Sequence, residues 1–224
     1  MAADTQSPGV PSTVSGATLT EPDWLAARIA EMGRAWGTTQ PRIAGTLWWC
    51  MVASALVEQI ARAYAHREPV PEPTLDRLDC EIRGDGGIER VHIMPPVRTP
   101  AAAADSTPTG STSATALRET LAAVIAPVAA VSGAGVPALW AIAADAIGNR
   151  ALDAGAPEAG ARLAQEIGGK LPVPRFVQIG GRTFVRRISC CLVFEVPSCQ
   201  MCTSCPKRPA AERKAMLANL AGES

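Results

Sequence analysis

A chain of 224 residues with 47% apolar content can fill one sizeable hydrophobic core, and with only 4% aromatics that core must be built mainly from aliphatic side chains. The 21 basic and 21 acidic residues cancel, so overall charge singles out no class of partner. The N-terminus has neither a basic start nor an apolar run, which excludes a secretory signal. The most apolar stretch, residues 43–57, is shorter than the ~18 residues of a membrane span and reads as a buried helix. The chain is therefore expected in a reducing cytosol, where a dense group of cysteines points to metal or redox chemistry rather than to disulfides.

In chain order, residues 1–19 are rich in Ser, Thr, Pro and Gly and are expected to be disordered. Thr20 reads as a helix N-cap, with Glu21 and Asp23 in the first turn. Trp24, Leu25, Ile29, Met32 and Trp36 recur at helical spacing, and Gly37 ends the pattern. A longer helix is expected over about 42–66, apolar almost all round in its first half, as suits the middle of a core. Pro69, Pro71 and Pro73 break the helical run. Residues 78–95 then alternate on either side of Gly84-Asp85-Gly86-Gly87, a β-hairpin pattern.

Residues 95–115 are low-complexity and read as a loop or linker. Helical patterning resumes near Ala116, with interruptions at Pro127 and at residues 132–137. Two further helices follow, the second with Pro157 near its start and Gly168 just past its end. Residues 175–196 read as a strand, a Gly180-Gly181 turn and a second strand running into Cys190-Cys191. A short helix ends the chain. The expected fold is α+β: a mostly helical single domain over residues 20–224 with a small antiparallel sheet beside a C-terminal segment, residues 174–224, that carries the sulfurs.

Several motifs read as structural. Gly133-x-Gly135-x-x-Ala138 matches a dinucleotide fingerprint in letters, but helical sequence precedes it where a strand is required, so a helix junction is the better reading. His66 and His92 are the only histidines and read as a helix-end and a hairpin residue. Cys50 and Cys80 read as small buried hydrophobes. Trp140 fits a core position better than a substrate surface. No DNA-reading helix stands out, and no nucleic-acid partner is expected.

The other five of the seven cysteines fall within residues 189–206: Cys190, Cys191, Cys199, Cys202 and Cys205. Crowded thiolates repel, and a shared cation makes such an arrangement favourable. Zinc commonly takes two Cys-x2-Cys knuckles, whereas Cys190 and Cys191 are adjacent and would need a backbone bend to face one ion. A two-iron cluster relaxes that demand. Cys199, Cys202 and Cys205 also form a Cys-x2-Cys-x2-Cys loop of bacterial ferredoxin type, lacking its fourth cysteine, so a cubane would borrow Cys190 or Cys191. Spacing leaves these quartets open. From Arg175 to Lys214 eight basic residues face only Glu195 and Glu212, a local excess of +6.

The stretch "RRISCCLVFEVPSCQMCTSCPKR" resembles the C-terminal signature of the FhuF-like ferric siderophore reductases: Cys-Cys, ten residues, Cys, two residues, Cys. The helix "LWAIAADAIGNRAL" is similar to a Trp-containing helix of that family, and Cys199 is a departure from its pattern. The resemblance implies a 2Fe–2S centre on Cys190, Cys191, Cys202 and Cys205. Arg186, Arg187, Lys207 and Arg208 flank those cysteines and would offset the cluster's negative charge. It further implies a cytoplasmic one-electron reductase of ferric siderophores. An external electron donor of ferredoxin, flavodoxin or flavin reductase type is then needed. Peripheral membrane association is compatible with that role. The alternative is a non-enzymatic zinc- or cluster-binding interaction or regulatory module.

Overall fold

Pro41 opens the element around which everything else is arranged. Proline at the first helical position loses no hydrogen bond, because that N–H has no intrahelical acceptor, and helix α2 runs from there over Pro41–His66. Its flanking helices are α1 (Pro22–Trp36), α3 (Gly110–Ser132), α4 (Val136–Asp153) and α5 (Pro157–Ile167), and all four pack against it, α4 most extensively. The computed structural model describes residues 12–95, 110–197 and 199–222.

Two adjacent tryptophans lock α2 in place. Both rings are fully buried, and each indole N–H has an acceptor: Trp48 donates to Gly86 O at 3.0 Å and Trp49 to Leu139 O at 2.8 Å. Burying an indole stabilises only if its N–H is satisfied, so the two bonds fix the hairpin turn and the start of α4 on neighbouring faces of one helix. α2 and α3 are each long and apolar enough to cross a membrane, but 72% of the apolar window of α2 is buried by the rest of the chain. α3 turns Leu117, Leu121, Val124 and Val128 into the same core.

Strands β1 (Thr13–Ser15), β2 (Leu78–Ile82) and β3 (Ile88–Ile93) form an antiparallel sheet in the order β1-β2-β3, and β3 lies on α2. Cys80 sits fully buried on the central strand, where burial pushes its thiol pKa up to about 12. The second sheet is the hairpin β4 (Phe176–Ile179) and β5 (Arg182–Val185). Its turn residues Gly180 and Gly181 have φ of +59° and +79°, the left-handed pair that a two-residue hairpin turn requires. β5 rests on α4, and α6 (Ala210–Gly222) rests on β4.

The α+β, mostly helical expectation holds, as do both hairpins and the placement of α2, α4 and α5. Four local readings are corrected. Residues 12–19 are ordered: Val14 pairs with Cys80, and Leu19 is fully buried; residues 1–11 lie outside the described residues. Thr20 caps nothing, because its hydroxyl donates to Ala17 O within a 3-10 turn, and Glu21 is the N-cap ahead of Pro22. α3 already begins at Gly110, shortening the expected loop, whose residues 96–109 lie outside the described set. It also passes through Pro127 unbroken: Val124, Ile125 and Val128 are all buried, and that packing outweighs the ~3 kcal/mol that proline costs a helix. The Gly133-x-Gly135 motif is the turn between α3 and α4, with Gly133 left-handed at φ +73° and no strand before it.

At Gly45, α2 passes directly against Ser132 at the end of α3. A Cβ there would lie 2.3 Å from Ser132 Cβ, and Ser132 is itself buried and anchored by its hydroxyl to Val128 O. Gly45→Ala is expected to destabilise the fold by ~1–3 kcal/mol through overpacking, despite alanine's better helix propensity; denaturant unfolding of the two proteins measures it.

Candidate metal centre

The chain reaches the sulfur region by leaving the second sheet. β5 ends at Val185, so the strand does not continue into the paired cysteines as the alternation implied. What takes over is a buried carboxylate. Asp145, on α4 and 2% exposed, accepts from Ile188 N–H at 3.0 Å and from Ser189 N–H and Oγ–H at 2.9 and 2.6 Å. A buried charge is tolerable only when its acceptor positions are filled, and the two residues ahead of Cys190 fill them. The backbone entering the cysteine pair is thereby fixed to the helical core.

The bend that adjacent cysteines require follows at once. Leu192 has φ +63°, a left-handed conformation that costs an ordinary residue ~1–2 kcal/mol. Its side chain is 7% exposed and packs into the core, which holds it there. The turn directs Leu192 N–H to Cys190 Sγ at 3.4 Å and Val193 N–H to the Cys191 sulfur. Cys190 Sγ lies 3.7 Å from Cys205 Sγ. Cys202 Sγ accepts from Arg187 Nη1 at 3.6 Å. Cys205 is buried, while Cys190, Cys191, Cys199 and Cys202 are half-buried, so the group sits at the protein surface with its inner edge on the core.

The thiols are electrostatically unequal. Cys191 is lowered to about 5, first by a hydrogen bond from the Cys50 thiol and then, against the opposing effect of burial, by Val193 N–H and the Arg187 guanidinium. Cys190 is raised to about 11, chiefly by burial, and burial also raises Cys202. Cys50 is raised well above the usual thiol range by its bond to Cys191 and by burial. Cys50 packs against the core as the sequence implied, but it is half-buried and its thiol borders Cys191.

The four flanking basic residues have separate tasks. Arg187 points inward, its side chain 17% exposed, between Cys202 and Asp145. Arg208 holds the cysteine loop by its carbonyls, donating to Met201 O at 2.6 Å and Cys202 O at 3.4 Å, and it pairs with Glu212. Lys207 pairs with Glu195 at 3.6 Å and stands over the Phe194 ring. Glu195 also binds Arg42 of α2 at 3.2 Å. Arg186 is exposed. Trp140 is 4% exposed, a core residue.

Among the described residues, no three or more His, Cys, Asp or Glu side chains gather as the ligands of a single metal ion. The 3.7 Å between Cys190 and Cys205 is nevertheless the separation of two thiolates on one tetrahedral metal, since metal–sulfur bonds of ~2.3 Å give ~3.8 Å between sulfurs. A two-iron cluster asks for two such pairs rather than one quartet, and backbone N–H groups on the sulfurs are among the contacts that tune thiolate-held clusters. Cys190 and Cys205 are already spaced as one of those pairs, and the thiols of Cys191 and Cys202, both in reach of Arg187, are the residues that would form the other. In metal-free protein at pH 7, Cys191 is expected to be the thiol alkylated first, at a rate nearly constant between pH 6.5 and 8, while Cys190 stays slow until the pH nears 11; peptide mapping after iodoacetamide pulses checks this.

No curated relative matches the chain. The family model described as the FhuF 2Fe–2S C-terminal domain matches residues 187–207, which span all five tail cysteines. This segment thus carries the signature of the FhuF 2Fe–2S C-terminal domain, and its cofactor is a 2Fe–2S cluster.

Proposed function

We propose that the protein is a cytoplasmic ferric-siderophore oxidoreductase in which Cys190, Cys191, Cys202 and Cys205 hold the cluster. The observation that supports this best is the Cys-Cys-x10-Cys-x2-Cys segment, matched as a FhuF 2Fe–2S domain, in a position where three of those four cysteines are half-exposed. The cluster, when bound, supplies a one-electron donor of low potential. The chain does the rest by holding three of the four sulfurs half-exposed on a preset backbone, with Cys205 at the inner edge, so that a bulky iron chelate can approach without entering the core.

The chemistry asked of the protein is a single electron transfer. One electron enters from an external carrier of ferredoxin, flavodoxin or flavin reductase type, and one leaves to Fe(III), giving Fe(II). The hard oxygen donors of a siderophore hold ferrous iron far less strongly than ferric, so reduction alone releases the metal. No bond to the chelator is broken by the protein, and no general acid or nucleophile is needed. The exposed cation Arg186, with the net positive charge left on the Arg42–Glu195–Lys207 group, would draw an acidic carrier or an anionic ferric complex to this face, in a manner weakened by salt.

Anaerobically purified protein is expected to be red-brown, with iron and acid-labile sulfide in near-equal amounts. Cys202→Ser is expected to abolish the visible absorption and Cys199→Ser to preserve it; loss of the absorption in Cys199→Ser would instead bring Cys199 into the ligand set. Dithionite-reduced protein is expected to be reoxidised within seconds by at least one ferric siderophore in stopped flow. Protein that stays reduced against hydroxamate, catecholate and citrate types would rule out this substrate class.

A further inference from the structure

Arg187 and Asp145 form the most deeply buried ion pair among the described residues, with side chains at 17% and 3% exposure. Its geometry is unusual. Arg187 Nε stands 3.6 Å from Asp145 Oδ2, too far for a hydrogen bond, and Nε has no hydrogen-bond partner although it is buried. The carboxylate cannot come closer, because Ile188 N–H, Ser189 N–H and Ser189 Oγ–H already hold it. The guanidinium meanwhile reaches the other way, with Nη1 on Cys202 Sγ at 3.6 Å, and its charge is also felt at Cys191 and Cys50.

We infer that Asp145 is a positioning residue that sets the reduction potential of the sulfur site through Arg187. The inference rests on the assignment of the cluster to the four tail cysteines. The cation touches the sulfurs and the anion stands behind it, pinned by the chain's own backbone, so the two form a fixed dipole with its positive end toward the group that gains an electron. In a poorly screened interior both charges act strongly at short range. Arg187 favours the reduced state, and Asp145 limits that preference. Neither charge can relax away: Asp145 is held by three donors, and Arg187 by Asp145 and Cys202. Of the four flanking basic residues, Arg187 alone among those described is placed this way. Arg208 and Lys207 are committed to carbonyls and carboxylates, and Arg186 is exposed.

The test is the midpoint potential of the loaded protein, read by dye-mediated titration of the visible absorption. Arg187→Gln is expected to lower it and Asp145→Asn to raise it, each by at least a tenfold change in the equilibrium constant, about 59 mV for a one-electron couple. Arg187→Lys keeps the charge and is expected to restore at least half of the Arg187→Gln shift, and Asp145→Ser, which removes the negative charge but keeps an acceptor, is expected to raise the potential and takes the place of Asp145→Asn if that variant does not fold. A purely structural role would lower cluster content or melting temperature without moving the two potentials in opposite directions. Equal potentials in wild type, Arg187→Gln and Arg187→Lys would overturn the inference, as would shifts of the same sign in Arg187→Gln and Asp145→Asn. A wild-type protein with no visible absorption would instead overturn the cluster assignment beneath it.

Discussion

The grip of Asp145 on Ile188 and Ser189 is the constraint on which the sulfur region depends. The tail beyond β5 is short of regular structure, with one 3-10 turn at Val193–Glu195 before α6. Such a segment has little secondary-structure hydrogen bonding of its own to give it a shape. A carboxylate projecting from the most heavily packed helix pair supplies what the segment lacks. It satisfies two consecutive backbone donors and one hydroxyl, and it does so immediately before the first two sulfurs. Replacing a random approach of Cys190 and Cys191 by a fixed one removes much of the entropy cost of gathering ligands from opposite ends of a loop.

The local positive charge has a similar inward use. Eight basic residues in the last fifty positions look like a docking surface, yet several are spent on holding the tail together. Arg208 and Arg213 bind the carbonyls of Met201, Cys202, Cys205 and Arg208. These carbonyls have no helix or strand to pair with, and a guanidinium with five donors can satisfy several at once. Lys207 and Arg42 meet at Glu195, which ties the loop to the N-terminal turn of α2. The cations left for a partner are fewer than the count of letters implies.

α2 links these parts. Its two tryptophans fix the hairpin and α4, its first turn holds Glu195, and its Cys50 faces Cys191. A helix buried nearly all round can do this because each of its faces meets a different element. The same burial explains why a helix long enough for a membrane serves here as a core.

Much was legible from residues alone, and for a physical reason: local geometry is written locally. The hairpins follow from alternation and glycine turns, the helices from their periodicity and from Pro157 and Gly168, and the crowding of five cysteines points to a metal because ligands close in sequence need few assumptions to be close in space. What the sequence could not decide were the meetings of residues far apart. Cys50 looked like one more small apolar residue in an apolar helix. Asp145 carried a faint signal, as the lone acid in "LWAIAADAIG", where a buried charge demands a partner; nothing nearby said that the partner was the backbone before Cys190. Pro127 should have broken a helix that packing kept whole, and a serine-rich N-terminal stretch gained a strand because β2 offered it an edge. Each of these outcomes turns on which surfaces are pressed together, a free energy that belongs to the folded arrangement and to no single stretch of the chain.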